Sequence, residues 1–195
     1  MISKFSLKEK VALITGASGL LGIEHANALL ELDATVVMTD IDKVGLERAF
    51  NDLTNVYDKK NIICKVMDVT SQKSIQHVKD ELKNDGVDID ILINNAAIDP
   101  KVQADSVVET SRLENFLVDD WNFQISVGLT GAMLCAKIFG IEMAKNGSGI
   151  ILNIASDLSV FSPYQSLYKK DKLLPDQQPV KPVTYSVIKH GLIGL

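Results

Sequence analysis

Cysteine, histidine and long uncharged stretches are all scarce in this chain, and each scarcity removes a class of function. The two cysteines, Cys64 and Cys135, sit in apolar stretches and do not form a closely spaced pair. They read as reduced core thiols. The three histidines, His25, His77 and His190, are scattered without metal-ligand spacing, so no metal site is expected. His25 and His77 read as helix-surface residues. No uncharged run reaches the roughly 18 residues a membrane span needs. The start, Met1-Ile2-Ser3-Lys4-Phe5, lacks an apolar signal region, and Glu9 and Lys10 place charges soon after it. The default location is the cytoplasm. With a net charge of −5 and a pI near 5.2, nothing draws the whole surface to nucleic acid or an anionic membrane.

What is present is an ordinary globular composition, 46% hydrophobic and 23% charged, over a length of 195 residues that suits one domain. The apolar pattern alternates between two periods. Short β-branched runs predict buried parallel strands at Val11 to Thr15, Thr35 to Thr39, Ile62 to Met67, Ile89 to Ile93 and Gly149 to Ile154. Helical patterns lie between them, at Leu20 to Leu32, Lys43 to Tyr57, Ser71 to Asn84 and Val118 to Lys145, with an N-cap signal at Thr70-Ser71-Gln72. This alternation predicts an α/β fold, a doubly wound parallel sheet of Rossmann type in three layers. Ala97 to Asn115 and Pro163 to Pro182 break the rhythm. The second holds four prolines and many charges. Long connections of this kind are functional lids or mobile segments.

The first strand runs into Thr15-Gly16-Ala17-Ser18-Gly19-Leu20-Leu21-Gly22. Gly16 allows a sharp turn, Gly19 lets backbone approach a pyrophosphate, and Gly22 lets helix pack on strand. The helix N-terminus offers free N–H groups to phosphates. Asp40 ends the second strand, where a carboxylate accepts hydrogen bonds from the adenosine ribose and repels a 2′-phosphate. Its neighbours Ile41 and Asp42 supply no cation, so NAD is expected over NADP. Near the end of the chain, Tyr185 and Lys189 are four residues apart, one face of a helix. A nearby ammonium favours the phenolate, and the phenol can then exchange the proton of an alcohol–carbonyl pair as hydride moves to or from a nicotinamide.

On these motifs the sequence resembles the short-chain dehydrogenase/reductase family. The resemblance adds Asp68, in Met67-Asp68-Val69, as the adenine contact, Asn94-Asn95-Ala96-Ala97 as the motif ending the fourth strand, with Ala97 in place of the family's glycine, and Ser156 as the hydroxyl that orients the substrate carbonyl. It implies that Ser156, Tyr185 and Lys189 are catalytic. Gly16, Ser18, Gly19, Leu20, Leu21, Gly22, Asp40, Ile41, Asp68, Val69, Asn95, Ala96, Ala97, Tyr185 and Lys189 would bind the cofactor. Lys189 would both lower the pKa of Tyr185 and hold the nicotinamide ribose. The implied activity is hydride transfer between NAD(H) and an alcohol or carbonyl compound, a sugar or sugar derivative among them. The implied partner state is a homo-oligomer, a dimer or tetramer.

Three features depart from the family pattern. The glycine spacing, T-G-x-x-G-x-x-G, is that of the family's longer branch, which acts on nucleotide sugars; the other motifs fit the shorter branch. Gly128 stands where the family often has an Asn that holds a relay water, so either a backbone carbonyl at a helix kink substitutes for it or the relay is degraded or rerouted. Ser156 and Tyr185 are unusually far apart, and Lys169, Lys170 and Lys172 between them belong either to a lid toward an anionic substrate or to a solvated surface loop. The chain ends at Leu195, six residues after Lys189, so a C-terminally truncated domain over 1–195 is expected. The alternatives are a nucleotide-sugar epimerase or dehydratase, and a non-catalytic NAD-binding protein.

Overall fold

In the computed structural model, which describes residues 4–98 and 110–195, the elements run along the chain as β1 (Val11–Thr15), α1 (Leu20–Leu30), β2 (Thr35–Asp40), α2 (Lys43–Thr54), β3 (Ile62–Val66), α3 (Gln72–Asn84), β4 (Ile91–Asn94), α4 (Val118–Ile125), a π-helical turn (Ser126–Thr130), α5 (Gly131–Lys145), β5 (Ile150–Asn153) and α6 (Val183–Gly194). Of the connection expected from Ala97 to Asn115, residues 99–109 lie outside the described residues, as do residues 1–3. The chain divides into two compact units, Met1–Ala96 with Gly131–Ile154, and Ala97–Thr130 with Ala155–Leu195.

The first unit holds a five-stranded parallel sheet in the order β3-β2-β1-β4-β5. The central strands β1, β2 and β4 read as nearly continuous apolar runs because both their faces are covered. Ala12, Leu13 and Ile14 of β1 are all fully buried. Ile14, Val36, Met38 and Ile93 share a core cluster with Ala26 and Leu30 of α1 and Leu46, Ala49 and Leu53 of α2. Side chains alternate along a strand, so Leu13, Val37 and Leu92 face the opposite layer. There α3 packs on α5 and α5 packs on β4 and β5. Strand order reverses between β2 and β4 on either side of β1, the switch point at which such sheets bind ligands.

Most boundaries fall within two residues of the sequence expectation. Lys43 to Tyr57 stops at Thr54, and Leu20 to Leu32 stops at Leu30. Ser71 caps α3, its hydroxyl accepting from the Ser74 amide at 3.3 Å. His25 departs from expectation. It flanks the buried line Gly22, Ala26, Leu30, and its Nε2 is buried without a hydrogen-bond partner among the described residues. Burial pushes the Cys64 thiol up to about 11 and the Cys135 thiol to about 12. Both stay protonated and unreactive near neutral pH. Ile150, Ile151 and Leu152 leave 41–62% of their surface exposed on the outer strand β5.

The long helix expected from Val118 to Lys145 is interrupted where the chain passes from the second unit to the first. The π-turn at Ser126–Thr130 separates α4 from α5, and Gly128 is buried within it. A Cβ on Gly128 would lie 2.8 Å from Ile188 Cγ2, and one on Gly191 would lie 2.8 Å from Leu129 Cδ2. These two glycines let α6 close on the turn. By length and composition alone, Val118–Lys145 could cross a membrane, with a mean hydropathy of 1.4. However, α5 buries Cys135, Ile138, Phe139 and Met143 in the manner of a core helix.

The proline-bearing segment is tied rather than loose. Gln165 accepts from the Lys181 amide at 2.9 Å and donates to the Lys181 carbonyl. Gln178 accepts from the Lys170 amide at 2.8 Å and donates to the carbonyls of Lys170 and Leu173. Ser111 Oγ accepts from Val180 N at 2.9 Å, and Arg112 donates to the Pro175 carbonyl. Side chains thus supply the pairing that strands would supply elsewhere.

Candidate active site

The elements expected to bind the nucleotide belong to the first unit, apart from Ala97, Tyr185 and Lys189. Gly16 holds φ +64°, and a Cβ there would sit 2.8 Å from the backbone Cα of Ala96. The turn is latched to the end of β4. Thr15 Oγ1 accepts from the amides of Asn95 and Ala96, both at 3.0 Å, and Asn95 Nδ2 donates to the carbonyls of Thr15 and Gly16. Asn95 therefore shapes the turn, with its side-chain donors directed at backbone. A Cβ on Gly22 would lie 2.3 Å from Gly16 O and 2.6 Å from Ala17 Cα. Gly22 thus closes α1 onto the turn itself, where the sequence pattern had predicted closure onto a strand.

Gly19 is the N-cap of α1, with no side-chain cap hydrogen bond. A helix start leaves backbone N–H groups needing partners, and Leu20 and Leu21 beside it are 84% and 54% exposed. An uncapped helix start behind a close-packed glycine turn fits a pyrophosphate. Asp40 Oδ2 accepts from Ser18 N at 3.0 Å and Ser18 Oγ at 2.7 Å, and Oδ1 accepts from Asp42 N at 3.1 Å. Ile41 beside it is exposed. Asp68 Oδ1 accepts from Thr70 N and Oγ1 at 2.8 and 2.7 Å. Val69 is buried, and its side chain packs on Gly131. Its backbone, rather than its side chain, is what it could offer a base.

The three candidate catalytic residues, and Ala97, belong to the second unit. Ser156 caps the 3-10 turn Asp157–Ser159, which packs against α6. Its Oγ donates to Asp157 Oδ1 at 2.8 Å and accepts from Leu158 N at 3.2 Å. To donate to a substrate carbonyl, the hydroxyl must turn away from Asp157. Tyr185 and Lys189 lie on α6, with Lys189 Nζ 5.7 Å from the centre of the Tyr185 ring. Lys189 is only 7% exposed. Burial holds its ammonium below the ordinary lysine range, and the nearby charge of Lys181 pushes it the same way.

Lys181 is the residue that sequence reasoning missed. Its Nζ stands 4.0 Å over the Tyr185 ring, within cation–π range. Lys169, Lys170 and Lys172, the candidates for a lid, are all exposed. Lys181 also lines a groove of about 560 Å³ with Leu113, Pro163, Val183, Val187 and His190. At about 100° per residue, the α6 positions lining this groove lie roughly opposite Tyr185 and Lys189, and Lys181 is shared between the groove and the phenol ring.

Comparison with known proteins gives the family. The short chain dehydrogenase family model matches residues 10–170. The chain is 31% identical over 192 residues to the Short chain dehydrogenase/reductase dpfgG of Gibberella zeae, covering 97% of this chain and 62% of that protein. It is 30% identical over 158 residues to an NAD-dependent glycerol dehydrogenase of Listeria innocua, covering 81% of this chain and 57% of that one. It is 30% identical over 198 residues to an NADP-dependent mannitol dehydrogenase of Hypocrea jecorina, covering 100% and 65%. The crystal structure of a gluconate 5-dehydrogenase from Burkholderia cenocepacia, in complex with NADP and tartrate, superposes with a TM-score of 0.73 at 25% identity, covering 98% and 64%. The chain spans about three-fifths of the length of these curated relatives. With a parallel sheet, a glycine turn at its switch point and a Tyr–Lys pair on one helix, the chain belongs to the short-chain dehydrogenase/reductase family.

Proposed function

We propose that residues 1–195 act as a single NAD-binding domain of an enzyme that moves a hydride between NAD(H) and an alcohol or carbonyl group of a small polyhydroxylated, sugar-like substrate. The observation that carries this reading is the Tyr185–Lys189 pair on α6, beside the turn capped by Ser156. Relatives named for glycerol and mannitol support the substrate class. The family's relatives include both NAD- and NADP-dependent enzymes. The choice of NAD rests on Asp40, whose carboxylate would repel a 2′-phosphate.

When bound, the nicotinamide accepts or supplies the hydride. The chain's own residues handle the proton and the geometry. In the oxidative direction Tyr185 Oη takes the proton of the substrate hydroxyl as its C–H bond breaks, and in reduction it returns that proton to the carbonyl oxygen. Lys189, held in a partly desolvated place, presents its positive charge to the phenol. Ser156 Oγ, rotated from Asp157, donates to the same substrate oxygen and fixes its direction. We place the enzyme in the cytoplasm as a homo-oligomer.

The test is turnover by the full-length protein with NAD or NADP against a panel of sugars, polyols and their ketones. NAD-dependent turnover of a polyol or its ketone supports the reading; no turnover across that panel with either cofactor overturns it. The glycine spacing favours a second reading, a nucleotide-sugar epimerase or dehydratase. Conversion of a nucleotide sugar without net change in the cofactor would establish it.

A further inference from the structure

The carboxylate of Asp40 is unusually well held. Two donors from a single residue, the backbone N–H and the hydroxyl of Ser18, converge on Oδ2 at 3.0 and 2.7 Å, while Asp42 N takes Oδ1 at 3.1 Å. Ser18 lies in the phosphate-binding turn, 22 residues before the acid it grips. Its own position is set from the other side by α2. A Cβ added to Gly45 would meet Ser18 Cβ and Oγ at 2.9 Å, so only glycine lets the first turn of α2 come this close. Asp42 accepts from Gly45 N at 3.0 Å and fixes that helix start.

We propose that Ser18 is a selectivity residue that acts through Asp40: its hydroxyl locks the carboxylate where a 2′-phosphate would have to sit. The inference rests on the assignment of NAD through Asp40. The physical reason is rotational. An aspartate at the mouth of a turn, left to itself, swings toward water when an anion approaches, and solvent then screens the repulsion. A carboxylate with three donors cannot swing without breaking charge-assisted hydrogen bonds, the stronger kind. Fixing it keeps the repulsion against a phosphate at full strength and leaves Oδ1 an open lone pair for a ribose hydroxyl. The turn that would hold the pyrophosphate and the acid that selects the ribose become one unit, so a change at the turn alters cofactor choice without touching the acid.

The experiment measures dissociation constants for NAD and NADP by calorimetry on the wild-type chain, Ser18→Ala, Asp40→Ala and the double variant, with a melting curve for each. Ser18→Ala is expected to reduce the NAD-over-NADP preference roughly tenfold, the scale of one hydrogen bond to a charged group. In the Asp40→Ala background the same change is expected to leave the remaining preference unaltered, because Ser18 has nothing left to act through. A wild-type preference for NADP overturns the NAD reading and this inference with it. A wild-type preference for NAD that survives Ser18→Ala unchanged overturns this inference alone, as does an equal effect of Ser18→Ala with and without Asp40.

Discussion

Three glycines of the turn after β1 are expected to separate folding from cofactor binding, because an added methyl group meets something different at each. At Gly16 the alanine must hold φ +64°, at about 1–2 kcal/mol for a left-handed residue. Its Cβ would also press on the Ala96 backbone at 2.8 Å, and overpacking of this kind costs about 1–3 kcal/mol. The sum is about 2–5 kcal/mol, or roughly 4–20 °C of melting temperature for a domain of this size. At Gly22 the Cβ would lie 2.3 Å from a carbonyl oxygen of the turn. That overpacking, of about 1–3 kcal/mol or more, outweighs the gain of about 1 kcal/mol from replacing a helical glycine. At Gly19 the nearest atom would be 3.4 Å away and φ is −78°, so alanine costs under about 1 kcal/mol as a poorer N-cap. It stands, however, where backbone would meet a pyrophosphate, and is expected to weaken NAD binding about tenfold or more, at least about 1.4 kcal/mol. Urea denaturation and calorimetric NAD titration of the three variants give both quantities. If Gly16→Ala melts like the wild type, or Gly19→Ala destabilises as much as Gly16→Ala, the division of roles among these glycines is wrong.

Asp40→Ala is expected to narrow the difference between NAD and NADP affinity, and an unchanged ratio would remove Asp40 from cofactor choice. In the full-length protein, Tyr185→Phe should abolish turnover while leaving NAD affinity nearly intact; retention of most activity would reject the acid–base assignment. Lys181→Met should impair turnover more than alanine at Lys169, Lys170 and Lys172 together, since it is Lys181 that stands over the phenol ring; the reverse order in steady-state kinetics would favour the lid. Lys189 has its folded pKa lowered by burial and by Lys181, so its charge opposes folding at neutral pH. That penalty fades as pH rises from the lowered value toward the unfolded lysine value of about 10.4. The stability of Lys189→Met relative to wild type should therefore be greatest near pH 7 and fall toward pH 10. Denaturant titrations that show the difference growing with pH would contradict the burial argument.

The sheet was legible because its signal is local. β1 runs from Val11 to Thr15 as expected, since a strand buried on both faces has no polar interruption. Gly16 and Asp40 were legible because φ and position along a strand are also local matters. The π-turn was not, although Gly128 marked the place. A π-turn arises where α6 presses on the helix, and that contact joins residues 128 and 188. Lys181 escaped notice for a related reason. It is four residues before Tyr185, but Pro182 starts the helix between them, so helical spacing says nothing about their contact. The lysines at 169, 170 and 172 drew attention by density instead. The grip of Ser18 on Asp40 is likewise tertiary, although both residues were expected at the cofactor.

The glutamine ties carry a consequence for how this protein ages. Gln178 works because one end of its amide gives protons and the other takes one. Its nitrogen serves the carbonyls of Lys170 and Leu173, at 3.0 and 2.8 Å. Hydrolysis of that amide to a carboxylate exchanges the donor for an oxygen facing two other oxygens, and attraction becomes repulsion at both. That exchange would thus break the tie to Leu173 and leave residues 170 and 178 joined only through the Lys170 amide. Stored preparations would then differ in the segment that precedes Tyr185 while keeping their sheet intact.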